Sequence, residues 1–271
     1  DYRAGSLARP HGRDGAHSLD MHILISNDDG ILAPGLKALE RIARTLSKDV
    51  WVVAPETEQS AASHSLTLHR PLSLRRISTR RWAVNGTPTD SVYLALHKVM
   101  AGMRPDLVLS GVNRGGNIGE DVTYSGTIAA AMEATLLGVP SIALSQVYED
   151  GGRIRWKTAE QWGVKTIRAL LKQGWPKNVL INVNFPDLPA AQVRGIRASR
   201  QGEHEVGDAY EERIDPRGRT YYWIGQDEVG EVHGARGTDL RSVDDGYVAI
   251  TPLHLDLTHR PSLKTLSKVF P

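Results

Sequence analysis

The sequence predicts an α/β protein, a Rossmann-like three-layer domain with a mostly parallel sheet, followed by a C-terminal β-hairpin arm and tail. Strand and helix patterns alternate along the chain, and strand–helix–strand order is typical of parallel sheets. The strand segments MHILIS and VWVVAP are almost wholly apolar, as in sheets that helices cover on both faces. The length of 271 residues is enough for one large domain of this kind.

The elements can be assigned in order from Met21. MHILIS predicts a first buried strand. In PGLKALERIARTLSK, apolar residues recur at spacings of three and four, which predicts an amphipathic helix with Pro34 in its first turn. VWVVAP predicts a second strand, LTLHRPLSLRRI an extended segment, and TPTDSVYLALHKVM a helix that runs to about Met100.

The middle of the chain repeats this design. DLVLS predicts a strand that leads into the glycine- and asparagine-rich loop GVNRGGNIG. YSGTIAAAMEATLLG predicts a helix that ends at Gly138, since helices often end at glycine. PSIALS predicts a further strand, residues 155–173 a helix, and NVLINVNFP the next strand.

After Pro189 the pattern changes to a β-rich arm and tail, which we place within about residues 200–271. Charged segments surround the turn sequence DPRG, and TYYWI follows it, which predicts a long hairpin. DLRSVDDG and YVAITPL predict a short helix and a final strand. Residues 21–271 are thus expected to form a single domain.

Residues 1–20 are expected to be a disordered leader. They are rich in Gly, Arg, His and Ser, show no hydrophobic period and lack the apolar core of a secretory signal. We interpret Met21 as the natural start and the leader as a remnant of an expression vector, with a short native tail as the alternative.

Composition narrows the function classes. The net charge of +2 gives no strong field, so neither nucleic acid nor a membrane is expected as a partner. The chain has no cysteine, which excludes disulfides, thiolate metal sites and cysteine nucleophiles, and which suits a cytoplasmic protein. No run of about 18 apolar residues is present, so no transmembrane helix is expected.

Polar loops follow three of the predicted strands. In open parallel sheets, ligands bind at the carboxyl ends of the strands. This rule places the loops NDDG, PETEQSAASHS and SGVNRGGNIG at the same edge of the sheet, together with the helix that opens at YSGT. We therefore expect the functional site to be built from these segments.

Asp28 and Asp29 are adjacent carboxylates at the end of the first strand. At a separation of about 4 Å they would repel by roughly 4 kcal/mol at an effective dielectric of 20, or about three pKa units. A shared proton or a divalent cation would relieve this repulsion. Ser60 and Asn113 are the best neutral oxygen donors to complete a cation site, and all-oxygen sites select Mg²⁺ or Mn²⁺. From the pair alone, an exposed turn without an ion is an equally good interpretation.

Two segments indicate phosphate binding. The loop NRGGN, residues 113–117, has two adjacent glycines and one arginine, and backbone N–H groups in such loops bind phosphate. Ser125, Gly126 and Thr127 open a helix, and a helix N-terminus also binds anions. Asn117 and these three residues are the predicted phosphate-binding set, although a serine or threonine at a helix start is more often only a cap.

His64 follows Ser60 in the second loop and is a candidate general acid for a leaving alkoxide, although most loop histidines have no such role. The chain has no G-x-S-x-G sequence, no Walker A sequence and no G-x-G-x-x-G after its first strand. These absences argue against a hydrolase triad, a nucleoside triphosphatase and a dinucleotide-binding enzyme.

Taken together, these motifs resemble the SurE survival-protein family of nucleoside-monophosphate phosphatases. The similarity runs from Met21 to about Thr258, in MHILISNDDGILAPGLKAL, VVAPETEQSAASHSLT, NGTPTDSV, LVLSGVNRGGNIGEDVTYSGTIAAAMEA and GYVAITPLHLDLT. NDDG, SGVNRG and SGT in this order form a more specific combination than any one of them. The family often has SGxxHS after its serine ligand, where this chain has SAASHS.

The resemblance implies a Rossmann-like fold and hydrolysis of nucleoside 5′- and 3′-monophosphates with one divalent cation per subunit, Mg²⁺ or Mn²⁺. Some members of the family also act on short polyphosphate. It implies that the metal ligands are Asp28, Asp29, Ser60 and Asn113, and that the SGT segment lies beside the phosphate. Members form dimers or tetramers by exchanging C-terminal segments, which gives the arm at residues 200–240 a role in oligomerisation.

The sequence therefore predicts a divalent-metal-dependent phosphomonoesterase, a 5′-nucleotidase, with Asp28, Asp29 and His64 as catalytic residues. The expected partners are a nucleotide substrate and further copies of the chain, in a homodimer or homotetramer. A nucleotide-binding sensor without turnover is the alternative, since the same loops could hold a phosphate and only order the arm. A sugar-nucleotide transferase is a third interpretation, for which we can place no base-binding pocket in the sequence.

Overall fold

The computed structural model describes residues 7–8, 21–149, 152–203, 210–224 and 234–270. Its strands are β1 (Leu7–Ala8), β2 (His22–Ser26), β3 (Asp49–Pro55), β4 (Leu74–Ser78), β5 (Arg81–Val84), β6 (Leu107–Arg114), β7 (Ser141–Gln146), β8 (Trp175–Pro176), β9 (Val179–Phe185), β10 (Ile196–Ala198), β11 (Tyr210–Ile214), β12 (Thr220–Ile224) and β13 (Val248–His254). Its α-helices are α1 (Pro34–Leu46), α2 (Pro88–Leu94), α3 (Gly126–Leu136), α4 (Trp156–Gln173), α5 (Asp239–Asp244) and α6 (Arg260–Leu266).

Nine strands form one sheet in the order β10-β13-β9-β7-β6-β2-β3-β5-β4. The pairs from β5 through to β9 are all parallel. Towards the two edges, β4 runs antiparallel to β5, and β13 runs antiparallel to β9 and parallel to β10. The predicted mostly parallel sheet is confirmed.

Helices cover both faces of this sheet. On one face, α1 and α4 pack over a large apolar cluster that includes Ile23 and Ile25. On the other face, α2 and α3 pack over a cluster that includes Leu24 and Val53. Successive side chains of β2 thus enter opposite cores, because side chains alternate along a strand. The three-layer prediction is confirmed, with buried apolar strands sandwiched between two helical layers.

The strand order places the loops of the predicted site side by side. Strands β3 and β5 lie on one side of β2 in the sheet, whereas β6, β7 and β9 lie in that order on its other side. The order reverses between the neighbours β2 and β6, and ligands in such sheets bind at this reversal point, at the carboxyl ends of the strands. The loops after β2, β3 and β6 therefore share one edge.

Four segments differ from the sequence prediction. LTLHRPLSLRRI forms a strand only in its last part, from Leu74, and the helix expected to run to Met100 is α2 followed by a π-helical turn, Ala95–Val99. β13 lies within the main sheet, although the sequence pattern placed it in the tail. Helix α6, which was not predicted, buries none of its residues, so its sequence carries no core-facing pattern.

The predicted hairpin of the arm is confirmed in β11 and β12, which pair antiparallel across a turn. The carboxylate of Asp215 accepts hydrogen bonds from the backbone N–H groups of Arg217 and Arg219 and thus stabilises that turn. The predicted leader, residues 1–20, lies outside the described residues except at Leu7–Ala8, which pair with Trp175–Pro176. In the described part of the chain, no helix is long and apolar enough to cross a membrane.

Candidate metal and phosphate site

Asp28 follows the central strand β2, two residues after its end at Ser26, and its buried carboxylate faces the start of α3. Its Oδ1 accepts a hydrogen bond from the Thr127 hydroxyl. Burial raises the pKa of Asp28, because a dry environment disfavours the charged form, while hydrogen bonds from the side chain and backbone of Thr127 act in the opposite direction. The N-terminus of α3 therefore stabilises the Asp28 carboxylate.

Gly126 is the residue that allows α3 to approach Asp28. A β-carbon at position 126 would lie 2.8 Å from Cβ and 3.0 Å from Oδ2 of Asp28, and 3.1 Å from Cγ of Pro88. Any side chain there would displace the carboxylate or the helix. The glycine of the predicted SGT segment thus leaves room at Asp28 Oδ2.

Asp29 lies beside Asp28, and its charged form is likewise disfavoured by its surroundings. Burial, and then the charge of Asp28, raise the pKa of Asp29 to about 6. The backbone N–H of Arg114 donates to Asp29 Oδ2 over a long 3.4 Å. Among the described residues, no lysine or arginine side chain forms an ion pair with either aspartate. The charge of Arg114 lowers the pKa of Asp29 but does not offset burial and the charge of Asp28.

The sequence neighbours of Ser60 and Asn113 hydrogen-bond directly to the aspartate pair. The backbone N–H of Gln59 donates to the carbonyl oxygen of Asp28 over 2.8 Å, and Arg114, next to Asn113, contacts Asp29. The amide nitrogen of Asn113 donates to the Gly115 carbonyl over 3.0 Å, which leaves its Oδ1 as the available donor to a cation. The structure thus brings the loops of all four predicted ligands together.

These groups fit a hard divalent cation. The donors are two carboxylates, a hydroxyl and an amide oxygen, which is the ligand chemistry that Mg²⁺ and Mn²⁺ prefer. Within the described ranges, no group of three or more His, Cys, Asp and Glu side chains could hold a metal ion. A cation here would therefore depend on the two neutral oxygens as well as on the aspartates.

The predicted phosphate-binding side chains already have partners within the protein. The hydroxyl of Ser125 caps α3 by accepting from the N–H of Ile128 over 3.1 Å, and Thr127 binds Asp28. Asn117 is buried: its backbone N–H donates to Asn184 Oδ1 over 2.9 Å and its amide to Ser145 Oγ over 2.7 Å. Their role at the phosphate stays a prediction, while their observed contacts position α3 and the preceding loop.

His64 lies against α3, the helix that begins at Gly126. Its Nε2 is 2.9 Å from Oε2 of Glu133, whose side chain is only 8% exposed. The neighbouring Ser63 anchors the loop, since its N–H and hydroxyl donate to the carbonyl groups of Tyr124 and Thr123. Ser63 thus anchors the loop before the start of α3, while His64 reaches Glu133 further along the helix, and the role of His64 as a general acid stays a prediction.

Glu58 and Asp90 are site residues that the sequence reasoning missed. Glu58 accepts a hydrogen bond from Ser60 Oγ over 2.7 Å, and its charge contributes to the raised pKa of Asp28 and of Asp29. Asp90 completes a capping box with Thr87 and also binds the N–H and hydroxyl of Thr67, which closes the far end of the Ser60 loop. The sequence T-P-T-D, residues 87–90, indicates the helix cap, but it does not indicate the contact between Asp90 and Thr67.

The backbone of the loop after β6 is held by hydrogen bonds to three buried side chains, those of Asn182, Asn184 and Asp239. Both asparagine side chains donate to the Asn117 carbonyl, over 2.7 and 3.0 Å. Asp239 accepts from the N–H of Gly119 over 3.2 Å and from that of Gly202 over 2.8 Å. The sequence N-V-N within the apolar strand β9 could have indicated that Asn182 and Asn184 have a role. No local sequence pattern indicates a role for Asp239.

The fold and the candidate site together define a class of proteins, Rossmann-like α/β domains with two adjacent aspartates at the reversal point of the sheet. Comparison with known proteins identifies the group within this class. The chain belongs to the SurE family, since the family model described as "Survival protein SurE" matches residues 23–208. The family prediction from the sequence is confirmed.

Individual relatives agree with this assignment. A protein named 5′-nucleotidase SurE from Paramagnetospirillum magneticum is 61% identical over 92% of this chain and 96% of its own length. A protein of the same name from Parvibaculum lavamentivorans is 51% identical over 91% of this chain and 90% of its own. The crystal structure of a SurE protein from Aquifex aeolicus matches with a TM-score of 0.81 and 40% identity over 92% of this chain and all of that one.

Proposed function

We propose that this protein is a divalent-metal-dependent phosphomonoesterase that hydrolyses nucleoside 5′-monophosphates, with 3′-monophosphates and short polyphosphate as further substrates. The observation that carries the proposal is the pair of adjacent aspartates at the carboxyl ends of the parallel strands, one buried and one half-buried, whose pKa values are both raised. The name 5′-nucleotidase, carried by relatives that are 61% and 51% identical, supports the reaction class.

One divalent cation per subunit would be held by Asp28, Asp29, Ser60 and Asn113. When bound, the cation supplies neutralisation of charge on the phosphate and polarisation of its oxygens. Thr127 would keep Asp28 oriented through its hydroxyl, so that Oδ2 stays directed to the space left by Gly126. The open N-terminus of α3 adds a partial positive charge on the side where a phosphate would lie.

His64 would give a proton to the ribose oxygen as the P–O bond breaks. Its Nε2 is engaged with Glu133, so Nδ1 is the nitrogen left to face a leaving group. The contact with Glu133 holds the imidazole in one orientation, so that Nδ1 would be positioned for the proton transfer. His64→Gln should lower kcat about 100-fold. An unchanged kcat would assign His64 to holding the loop alone.

The decisive experiment is an assay of phosphate release from AMP and GMP with Mg²⁺ or Mn²⁺, repeated after removal of the metal. Release that depends on the metal supports the proposal, and release that persists in excess chelator contradicts the metal-dependent mechanism. Binding of AMP by calorimetry with no phosphate released over hours, metal present, would instead indicate the nucleotide-binding sensor.

Assembly into a homodimer or homotetramer through the arm is part of the proposal. The hairpin β11–β12 exposes Tyr222, Trp223 and Ile224, at 59, 61 and 93% of their surfaces, which is unusual for large apolar side chains on a monomer. Light scattering of the wild type and of Trp223→Ser tests this, and a monomeric wild type would contradict it. The cytoplasmic location stays a prediction.

A further inference from the structure

A second polar cavity lies at the base of the arm, where β10, α5 and the segment before α5 meet. Its volume is about 570 Å³, and it is lined by Arg197, Gly234, Arg236, Gly237, Arg241 and Asp245. None of these residues belongs to the site at the aspartate pair. We call it the arginine cavity.

The arginine cavity has more positive than negative charge. Its lining contains three arginines and one aspartate. Asp245 uses both carboxylate oxygens, Oδ2 with Arg197 Nη1 at 2.8 Å and Oδ1 with Arg241 Nε at 3.0 Å. The hydrogen bond from Arg197 lowers the pKa of Asp245, which is therefore ionised at neutral pH. Even so, one carboxylate cannot neutralise three guanidinium groups.

Arg236 is the arginine of this cavity for which the described residues supply no partner. It is exposed at the rim, and no carboxylate or carbonyl of the described residues binds its side chain. Arg241 engages only its Nε, so the two Nη groups remain free to donate. A guanidinium does not lose its proton at any physiological pH, so the cavity keeps its net positive charge and attracts anions.

The cavity is also shaped in advance. The Arg197 guanidinium stacks on Tyr247, 3.8 Å from the ring centre, and Asp245 holds it from the other side. Only glycine fits at position 234, where a β-carbon would lie 2.5 Å from Cβ of Leu240. Arg197 thus needs little reorganisation when a ligand enters the cavity, which favours binding.

We propose that the arginine cavity binds a phosphate-bearing small molecule, with Arg236 and Arg241 donating to its phosphate oxygens. Planar guanidinium groups match phosphate geometry with paired N–H donors, and an excess of two positive charges suits a di- or trianion. The volume lies within the range of about 300–1,000 Å³ that small-molecule sites occupy. The proposal does not depend on the phosphatase activity, because the two sites share no residue.

Calorimetry with metal-free full-length protein, freed of metal over a chelating resin, tests this site by itself. Without a cation, the acidic pair repels anions, so inorganic pyrophosphate should bind only at the arginine cavity. We expect Arg236→Ala to weaken binding about tenfold, and Arg236→Ala with Arg241→Ala to abolish it. Arg217→Ala removes an equally exposed arginine in the hairpin turn and should change nothing. Because the Arg236 side chain is exposed and no described residue binds it, its variant should fold normally.

The source of the phosphate is resolved by a parallel titration with AMP. Tighter binding of pyrophosphate than AMP identifies an inorganic ligand, and the reverse order identifies a nucleotide; either result supports the site if Arg236→Ala weakens it. The proposal is overturned if neither probe binds the wild type at about 1 mM, or if Arg236→Ala and Arg217→Ala bind pyrophosphate equally well.

Discussion

The aspartate pair and the arginine cavity present the same physical problem with opposite signs. Asp28 is buried and Asp29 beside it is half-buried, no lysine or arginine of the described residues forms an ion pair with them, and the pKa of each is raised. In the arginine cavity, three guanidinium groups share one carboxylate, and the pKa of that carboxylate, Asp245, is lowered. One site lacks positive charge and the other lacks negative charge.

The difference between them lies in what each can do without a ligand. A carboxylate can take up a proton, so the acidic pair can relieve its repulsion in the metal-free state. A guanidinium has no such alternative, and the arginine cavity must be neutralised by an anion or by dissolved salt. The acidic pair should therefore respond to pH and to a cation, and the cavity to anions and ionic strength.

The largest expected effect is at Asp28. Asp28→Asn should lower phosphate release with Mg²⁺ on the order of 10³-fold, because it removes a charged ligand of the proposed cation. The control is Asp106→Asn at the opposite end of the sheet, where the carboxylate only accepts from the His22 N–H. Full activity in Asp28→Asn would contradict the view that the acidic pair requires a cation and would remove its contrast with the arginine cavity.

Gly126→Ala should lower activity about 100-fold without a change of charge. The added methyl group would lie 2.8 Å from Asp28 Cβ and so displace its carboxylate. Gly102→Ala is the control, since nothing lies within 4 Å of its methyl group and it tests only backbone strain at φ +82°. Equal activity of Gly126→Ala and wild type would show that Asp28 need not be held in place.

Asp29→Asn should stabilise the metal-free protein at pH 7.5 by about 2 kcal/mol, or about 5 °C in melting temperature. The folded pKa of about 6 exceeds the unfolded value of 3.8. The ionised wild type therefore pays a free-energy penalty that is absent below about pH 4 and complete above pH 6.

Thermal melts of both proteins between pH 4 and 8 measure this difference, which should shrink as the pH falls. Saturating Mg²⁺ provides the internal control, since it should stabilise the wild type and leave Asp29→Asn nearly unchanged. A variant that melts below the wild type at every pH, without metal, would mean that Asp29 is not under electrostatic strain.

The smallest effect is expected at Ser60. Ser60→Ala removes one neutral oxygen, so the affinity for Mg²⁺ should fall about tenfold while kcat at saturating metal stays within a few-fold. Ser65→Ala, in the same loop, is the matched control, because its hydroxyl only donates to the Ala62 carbonyl. Metal titrations of the two variants show how much of the Mg²⁺ affinity comes from the two carboxylates and how much from the neutral oxygen of Ser60.

Local features made much of the fold and site predictable. The apolar strands and the three- and four-residue spacing of helix α1 predicted the layers. Asp28 and Asp29 were found because they are adjacent in sequence, and the parallel-sheet rule placed Ser60 and Asn113 at the same edge. The glycine of SGT was identified, but its reason, the close approach to Asp28, was not.

The sequence by itself determined the three-layer class and the family, and it placed the loops of the candidate site at one edge of the sheet. Hydrophobic period and adjacent motifs are local properties of the chain and can be read without coordinates. The tertiary structure decided that Thr127 holds Asp28 across 99 residues, that Asp239 supports Gly119 across 120, and that β13 lies within the sheet. It also brought Arg197, Arg236 and Arg241 around one cavity. Such contacts depend on how distant segments pack, and no local pattern encodes a pairing between residues so far apart.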